Sequence, residues 1–296
     1  GGGRMKFFDL FAGVGGFRFG MEAAGHKCVG FCEIDKFARA SYKAIHDTEG
    51  EIELHDATGL TKEEIGSIGQ VDVICAGFPC QPFSVAGVRR GFEDTNGTLF
   101  FEIARFASVL KPKYLFLENV KGLISHDKGY TFETIIGSLD ELGYDVEWQV
   151  LNSKDFGVPQ NRERCYIIGH LRGTSGRQIF PIAETRSDKS IMQLGNIKKT
   201  ESFGGNPQCG RIYSTDGLAP CLNTMQGGQR EPKILIDGRV RKLTPRECWR
   251  LQGFPDWAFD KAQEVNSNSQ LYKQAGNSVT VNVIEAIANK IETEGN

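Results

Sequence analysis

No stretch of this sequence approaches the roughly 18 uninterrupted apolar residues that a membrane-spanning helix requires. The longest apolar runs, 73–78 (VICAGF) and 114–117 (YLFL), fall far short of it. A leader is missing too: after residues 1–4, which read as an added segment, Met5 leads straight into a strand-like segment rather than a charged and then apolar stretch. A cytoplasmic protein with no membrane contact is the expectation. Eight cysteines are present, yet none forms a Cys-x-x-Cys pair and no histidine stands where it would complete a zinc set. They read as reduced thiols, and no metal is expected. Cys75 and Cys165 lie within apolar runs, where a free thiol behaves as a small buried apolar group. Internal repeats and low-complexity tracts are absent as well.

Positive charge is not in excess overall, since the formal net charge is -2. Its distribution is uneven. Between 172 and 250 the chain carries 14 Lys and Arg against 7 Asp and Glu, which leaves 21 against 30 elsewhere. A basic region on an acidic remainder is compatible with a phosphate-binding surface and equally with a solvated face.

What is present has two rhythms. Up to about 171, β-rich runs (FFDLF, CVGFCE, VDVICA, YLFLE) alternate with helical stretches at 17–24, 36–46, 99–110 and 132–142. That alternation predicts an α/β fold, a doubly wound and mostly parallel sheet. Two later strands, VEWQVLN and RCYIIGHL, flank a polar loop with Pro159 and are expected to close it. After Arg172 the chain breaks into short segments rich in Gly, Pro, Ser and Asn, and no long helix is expected before Pro245. The reading is a large unit of residues 5–171 plus 265–296 and a smaller, loop-rich unit of 172–264. The segment VTVNVIEAIANKI after Ser278 has the spacing of a helix packing back on the large unit.

The first strand ends in DLFAGVGG at 9–16, a glycine-rich turn opening into a helix. Ligands of open α/β sheets sit at the carboxyl ends of strands, where glycines let them approach the backbone. Arg18 stands where a dinucleotide fingerprint would have its third glycine. Glu33 ends the next strand, placed to accept hydrogen bonds from ribose hydroxyls, and Asp56 follows the third, placed to meet an adenine amino group. Together these point to an adenosine-containing ligand without a pyrophosphate. In GFPCQPFS at 77–84, prolines stiffen both sides of Cys80 directly after a buried strand. Residue type alone does not separate a loop thiol from a nucleophile there.

Six segments in order resemble the cytosine-5 DNA methyltransferases across nearly the whole chain: DLFAGVGG, GFPCQPFS, Glu118-Asn119-Val120, QNRER at 160–164, RKLTPRECWRLQGFP at 241–255 and GNSV at 276–279. The resemblance implies transfer of a methyl group from S-adenosylmethionine to carbon 5 of a cytosine flipped out of double-stranded DNA. It makes Cys80 the nucleophile and puts Glu118 on the base edge, with Arg162 and Arg164 supporting both. It places Phe11, Gly13, Gly15, Glu33, Ile34, Asp56, Ala57, Phe78, Leu99, Asn277 and Val279 at the S-adenosylmethionine site. Gln81, Arg89, Arg90, Gln208 and Arg211 are implied DNA contacts, the segment 85–96 a closing lid, and 172–264 the target-recognition unit. Cys221 departs from the pattern, standing where the family usually has the threonine of a Thr-Leu pair.

The chemistry accounts for these residue types. Carbon 5 of cytosine is a weak nucleophile until a thiolate adds at carbon 6 and makes an enamine. A free thiol is mostly protonated at neutral pH, so a cation such as Arg164 near Cys80 is expected to help. A carboxyl group on the base edge stabilises the charge that develops on ring nitrogen 3. The base must leave the stack before any of this happens. The alternative within the family is the same reaction on tRNA; outside it stand a nicotinamide-dependent oxidoreductase, disfavoured by Arg18, and a silent DNA-binding module, which has no need of Cys80, Glu118 and Arg164 together. A monomeric bacterial or phage enzyme, associated with the nucleoid and paired with a separate restriction endonuclease, is the expected setting.

Overall fold

The computed structural model describes residues 4–83, 91–174, 176–198 and 202–291. Seven strands form the main sheet: β1 (Lys6–Leu10), β2 (Lys27–Cys32), β3 (Ile52–Leu54), β4 (Val73–Gly77), β5 (Tyr114–Val120), β6 (Tyr144–Asn152) and β7 (Glu163–Leu171). Their order is β3-β2-β1-β4-β5-β7-β6. β1 to β5 pair in parallel, while β7 runs antiparallel to both of its neighbours. The chain therefore works outward from β1 to β3 and then restarts at β4 on the other side of β1. The crevice between the ends of β1 and β4 is the switch point at which such sheets bind ligands.

Helices α1 (Gly16–Ala23), α2 (Lys36–Ile45), α3 (Lys62–Gly66), α4 (Leu99–Leu110) and α5 (Tyr130–Glu141) alternate with these strands. On one face Phe100, Ile103, Phe106, Ile135 and Leu139 from α4 and α5 pack on Phe8, Ile74 and Leu115. On the other, Phe17 and Met21 of α1 meet Phe7, Val73 and Phe116 together with Val283, Ile284 and Ile287 from the chain's end. Both faces are covered, which is why the central strands read as continuous apolar runs rather than alternating ones.

The smaller unit is less of a loop region than expected, for it contains a second sheet. Strands β8 (Gln193–Asn196), β9 (Arg211–Ser214), β10 (Lys233–Ile236) and β11 (Arg239–Lys242) order as β11-β10-β9-β8. Helices α6 (Pro245–Leu251), α7 (Asp256–Gln263) and α8 (Asn268–Asn277) follow, then α9 (Val281–Ala288). Thr244 and Glu247 form a capping box at the start of α6, with Pro245 in its first turn. Trp249, Phe254, Phe259 and Leu271 from these helices share a core with Leu222, Ile234 and Leu243 of the smaller unit and with Val14 and Ile45 of the large one.

The boundary expected at 172 needs correcting. Ile179, Phe180 and Ile182 are buried in the core of the large unit. The Glu147 carboxylate accepts from the amides of Ile179 and Phe180, and Gln149 Oε1 accepts from Ile182 N at 2.9 Å. Ser187 N donates to Asp155 Oδ1 at 2.8 Å. The chain thus leaves the large unit after Ser187. At the other end α6 to α8 bridge the two units, because their apolar faces contact both.

Candidate active site

The turn after β1 is built on left-handed backbone: Phe11 has φ 55, Gly13 φ 56 and Gly15 φ 92. A Cβ at Gly15 would collide with the His46 imidazole, so the residue type there is set by sterics as well as by φ. His46 Nε2 contacts Val14 O at 3.0 Å, and burial lowers its imidazole to about 3, so the ring is neutral. Arg18, at the fingerprint's missing glycine, is buried and ion-paired: Nη1 and Nη2 reach Glu51 at 2.7 and 2.8 Å, and Nε reaches Glu22 at 2.6 Å. A dinucleotide site would need close helix approach here; this chain uses the position as a brace.

Glu33, just beyond β2, closes the same turn. Its Oε1 accepts from Gly13 N and its Oε2 from Asp35 N, both at 2.8 Å. The turn, Glu33, and the ends of β4 and β5 line a cleft of about 420 Å³. Phe11, Phe17, Phe78 and Val279 give it apolar walls, and Asn277 from the end of α8 lies along it.

Across the cleft Glu118 of β5 faces Arg164 of β7, Oε1 to Nε 3.3 Å. Burial raises the Glu118 carboxyl above the usual carboxylate range, against the pull of Arg164 and then of Arg162. Gly77 gives the carboxyl its space, since a Cβ there would lie 2.9 Å from Glu118 Oε2. Arg162 lies deeper. Its Nη1 donates to Leu222 O at 3.1 Å and its Nη2 to Gly276 O at 3.0 Å and Ser278 O at 3.1 Å. It ties β7 to the smaller unit and to the end of α8, and burial lowers its pKa, with Arg164 adding to the effect.

Of the residues expected at the site, Phe11, Gly13, Glu33, Phe78, Glu118, Arg162, Arg164, Asn277 and Val279 line this one cleft. Gly15, Ile34, Asp56, Ala57 and Leu99 are not among its lining residues. Ile34 is 68 % exposed beside it, Ala57 is buried in the large core, and exposed Asp56 takes both the amide and the hydroxyl of Thr58. Leu99 N, in the first turn of α4, donates to Gln81 Oε1 at 2.9 Å, so Gln81 caps a helix rather than facing out. Cys80 follows Pro79, which lines the cleft, and is half-buried against the large core. Burial pushes its thiol up, and the expected help from Arg164 is not in place: that guanidinium is taken by Glu118, Glu163 O and the Cys221 sulfur.

Arg89 and Arg90 lie outside the described residues. The rest of the expected lid is docked, with Phe92 N on Glu141 Oε2 at 3.1 Å and the Phe92 ring stacked on Phe101. Gln208 is exposed, while Arg211 Nη2 is turned onto Asn206 O at 2.9 Å. Sequence reasoning gave no role to Asn119, Gly276 and Ser278, which line the cleft although each falls within a quoted motif.

A carboxyl and a guanidinium facing a glycine-built turn across one cleft, at the strand ends of a doubly wound sheet, is an arrangement suited to an enzyme that transfers a group. Over residues 5–208 and 183–293 the chain matches the family described as C-5 cytosine-specific DNA methylase. It is 39% identical to Type II methyltransferase M.HhaI of Haemophilus parahaemolyticus, over 97% of this chain and 94% of that one. It is 40% identical to Type II methyltransferase M.NlaX of Neisseria lactamica, over 97% and 96%. Among solved structures, the Dnmt2 methyltransferase of S. pombe superposes with a TM-score of 0.67 at 20% identity, covering 96% of this chain and 97% of that one. That likeness shows the fold. The chain belongs to the C-5 cytosine-specific DNA methylase family and is a DNA cytosine-5 methyltransferase.

Proposed function

We propose that the chain methylates a cytosine extruded from double-stranded DNA at a specific sequence, through a covalent bond from Cys80 to carbon 6. The observation that carries this reading is the placement of Glu118, Arg164 and the glycine turn in one cleft, beside the loop that bears Cys80. The relatives named as Type II DNA methyltransferases favour DNA over tRNA, because the likeness to Dnmt2 lies only in the fold. They also support a cytoplasmic bacterial setting alongside a separately acting restriction endonuclease.

S-adenosylmethionine fits the turn end of the cleft. Gly13 has open space where a Cβ would be, Glu33 presents a carboxylate to ribose hydroxyls, and Phe78 and Val279 suit a flat, apolar base. When bound, it supplies a methyl group activated by a sulfonium. Cys80, once deprotonated, adds to carbon 6 and gives carbon 5 its nucleophilic character. Glu118, kept protonated over a wider pH range by burial, donates to ring nitrogen 3 as negative charge develops there. Arg164 holds the Glu118 carboxyl in place. After methylation a base removes the hydrogen of carbon 5, and the Cys80 thiolate leaves carbon 6 as the ring double bond returns.

The test is a duplex with 5-fluorocytosine at the target. Fluorine cannot leave as a cation, so the enzyme should stay bonded to the methylated base and survive denaturing electrophoresis as an adduct. Cys80→Ser should form none and lose turnover to background. An adduct in that variant, or one mapped to any of the other seven cysteines, would overturn the assignment.

A further inference from the structure

Cys221 lies on the segment that joins the smaller unit to the loop at 159–161, and its sulfur sits between the two arginines. Sγ is 3.5 Å from Arg162 Nη1 and 3.5 Å from Arg164 Nη2. Sulfur is a weak acceptor, but here it meets two charged donors. Among the described residues Arg164 pairs with Glu118 Oε1 through its Nε, donates from Nη1 to Glu163 O at 2.8 Å, and donates from Nη2 to the Cys221 sulfur. Glu118 and Glu163 belong to the main sheet. Among the described residues, only Cys221 reaches Arg164 from the smaller unit.

The backbone around Cys221 is held without its side chain. Ala219 N donates to Pro159 O at 2.8 Å, Asn161 N to Ala219 O at 3.0 Å, and Leu222 N to Gln160 Oε1 at 3.1 Å. Just upstream, Leu218 N donates to Ser190 O at 2.9 Å and Leu218 bridges Ile191, beside the small sheet. The segment is thus clamped to the large unit at 219–222 and to the smaller unit at 218. The sulfur is therefore held at a fixed place against the Arg164 guanidinium by backbone contacts that do not involve its own side chain.

We propose that Cys221 is a positioning residue for methyl transfer: its sulfur fixes the Arg164 guanidinium, and through it the Glu118 carboxyl. This rests on the roles given to Cys80, Glu118 and Arg164 under Proposed function. The sulfur touches neither base nor cofactor in this scheme. It sets the orientation of a group whose ion pair, through Nε, holds the reacting carboxyl.

Threonine and valine have the same shape and differ in one acceptor oxygen, so Cys221→Thr and Cys221→Val separate acceptor from packing. With a duplex carrying the target, Cys221→Val should lose about tenfold in kcat with KM values within about threefold, and Cys221→Thr should stay within about threefold of the parent. In an Arg164→Ala background, Cys221→Val should cost nothing further, because its effect passes through the missing guanidinium. Thermal unfolding and S-adenosylmethionine titration count the folded fraction, so rates refer to folded enzyme even where a variant is less stable. Equal rates for the threonine and valine variants, or a full additional loss on Arg164→Ala, would overturn the proposal. The 5-fluorocytosine adduct on the parent and its absence in Cys80→Ser are run in parallel: failure there removes the underlying mechanism, whereas failure of the valine and threonine pair alone removes only Cys221.

Discussion

Arg164 meets Glu118 on a diagonal. The register of β5 and β7 sets Glu118 opposite Tyr166 and Arg164 opposite Val120, yet Arg164 Nε is 3.3 Å from Glu118 Oε1. Positions two apart on a strand share a face, so Arg164 and Tyr166 both flank Glu118 there. A slip of one residue in β7 would send the arginine to the opposite face. The antiparallel β5–β7 pairing is therefore a condition for the site and not only for the sheet.

Glu33→Ala should weaken S-adenosylmethionine binding by about 1.5–3 kcal/mol, the range for losing a charged hydrogen-bond partner. The same carboxylate holds Gly13 N and Asp35 N, so the turn should loosen as well. Calorimetry measures the affinity. A variant that binds as tightly as the parent would take Glu33 out of the site.

Gly77→Ala tests the space left for the base-edge acid. The backbone at Gly77 is ordinary strand, and a Cβ there lies 2.9 Å from Glu118 Oε2, the mobile end of a side chain. The fold should tolerate the change and the carboxyl should move. Turnover should fall about tenfold or more with cofactor affinity little altered, since small displacements of a reacting group are costly. Parent-like turnover would show that Glu118 has slack in the reaction.

Stability against pH should carry the mark of Asp9, which is wholly buried beneath the glycine turn. Tyr42 donates to its Oδ2 at 3.0 Å, Oδ1 has no partner, and burial raises the carboxyl from 3.8 to about 8. The folded protein keeps a proton that the unfolded chain loses above pH 4. This stabilisation is fully present below that pH and is lost as pH rises toward about 8, by up to roughly 6 kcal/mol. His46 works the other way, gaining stability from about 3 up to its unfolded value of 6.5. The difference between Asp9→Asn and the parent isolates the aspartate: denaturant titrations should show it growing in the variant's favour from pH 4 to 8. A difference flat across that range would mean that Asp9 is ionised in the fold.

Arg211→Ala should relax the choice of site. Its guanidinium is turned onto Asn206 O, a contact it would exchange for a base edge, and arginine suits guanine. Binding to target and random duplexes at one salt concentration decides the matter. A loss of equal size on both would mark a phosphate contact instead.

The strands of the large unit were legible because burial on both sides makes them short apolar runs; VDVICA and YLFLE became β4 and β5 at the centre of the sheet. Glu33 was legible because a strand end and an acid coincide. The second sheet was not, since strands such as RIYS and RVRK are four residues long and at least half polar, too short for a period to emerge. Ile179 and Ile182 looked like loop residues beside Pro181; what commits them to the large core is a pair of side chains, Glu147 and Gln149, more than 30 positions upstream. The use of Arg18 as a brace and of Cys221 as an acceptor depends on partners that only the tertiary fold supplies.

Helix α9 brings a different consequence. It is the last helix among the described residues, yet Val283, Ile284 and Ile287 close the core around Phe17, Met21 and Phe116. Gly20 of α1 has no room for a side chain because Ile284 lies against it. On the ribosome, α1 therefore emerges long before the helix that covers it, and the whole smaller unit is synthesised in between. Until then the apolar face of α1 has no native cover, so the nascent chain is exposed to aggregation for the whole interval between α1 and α9.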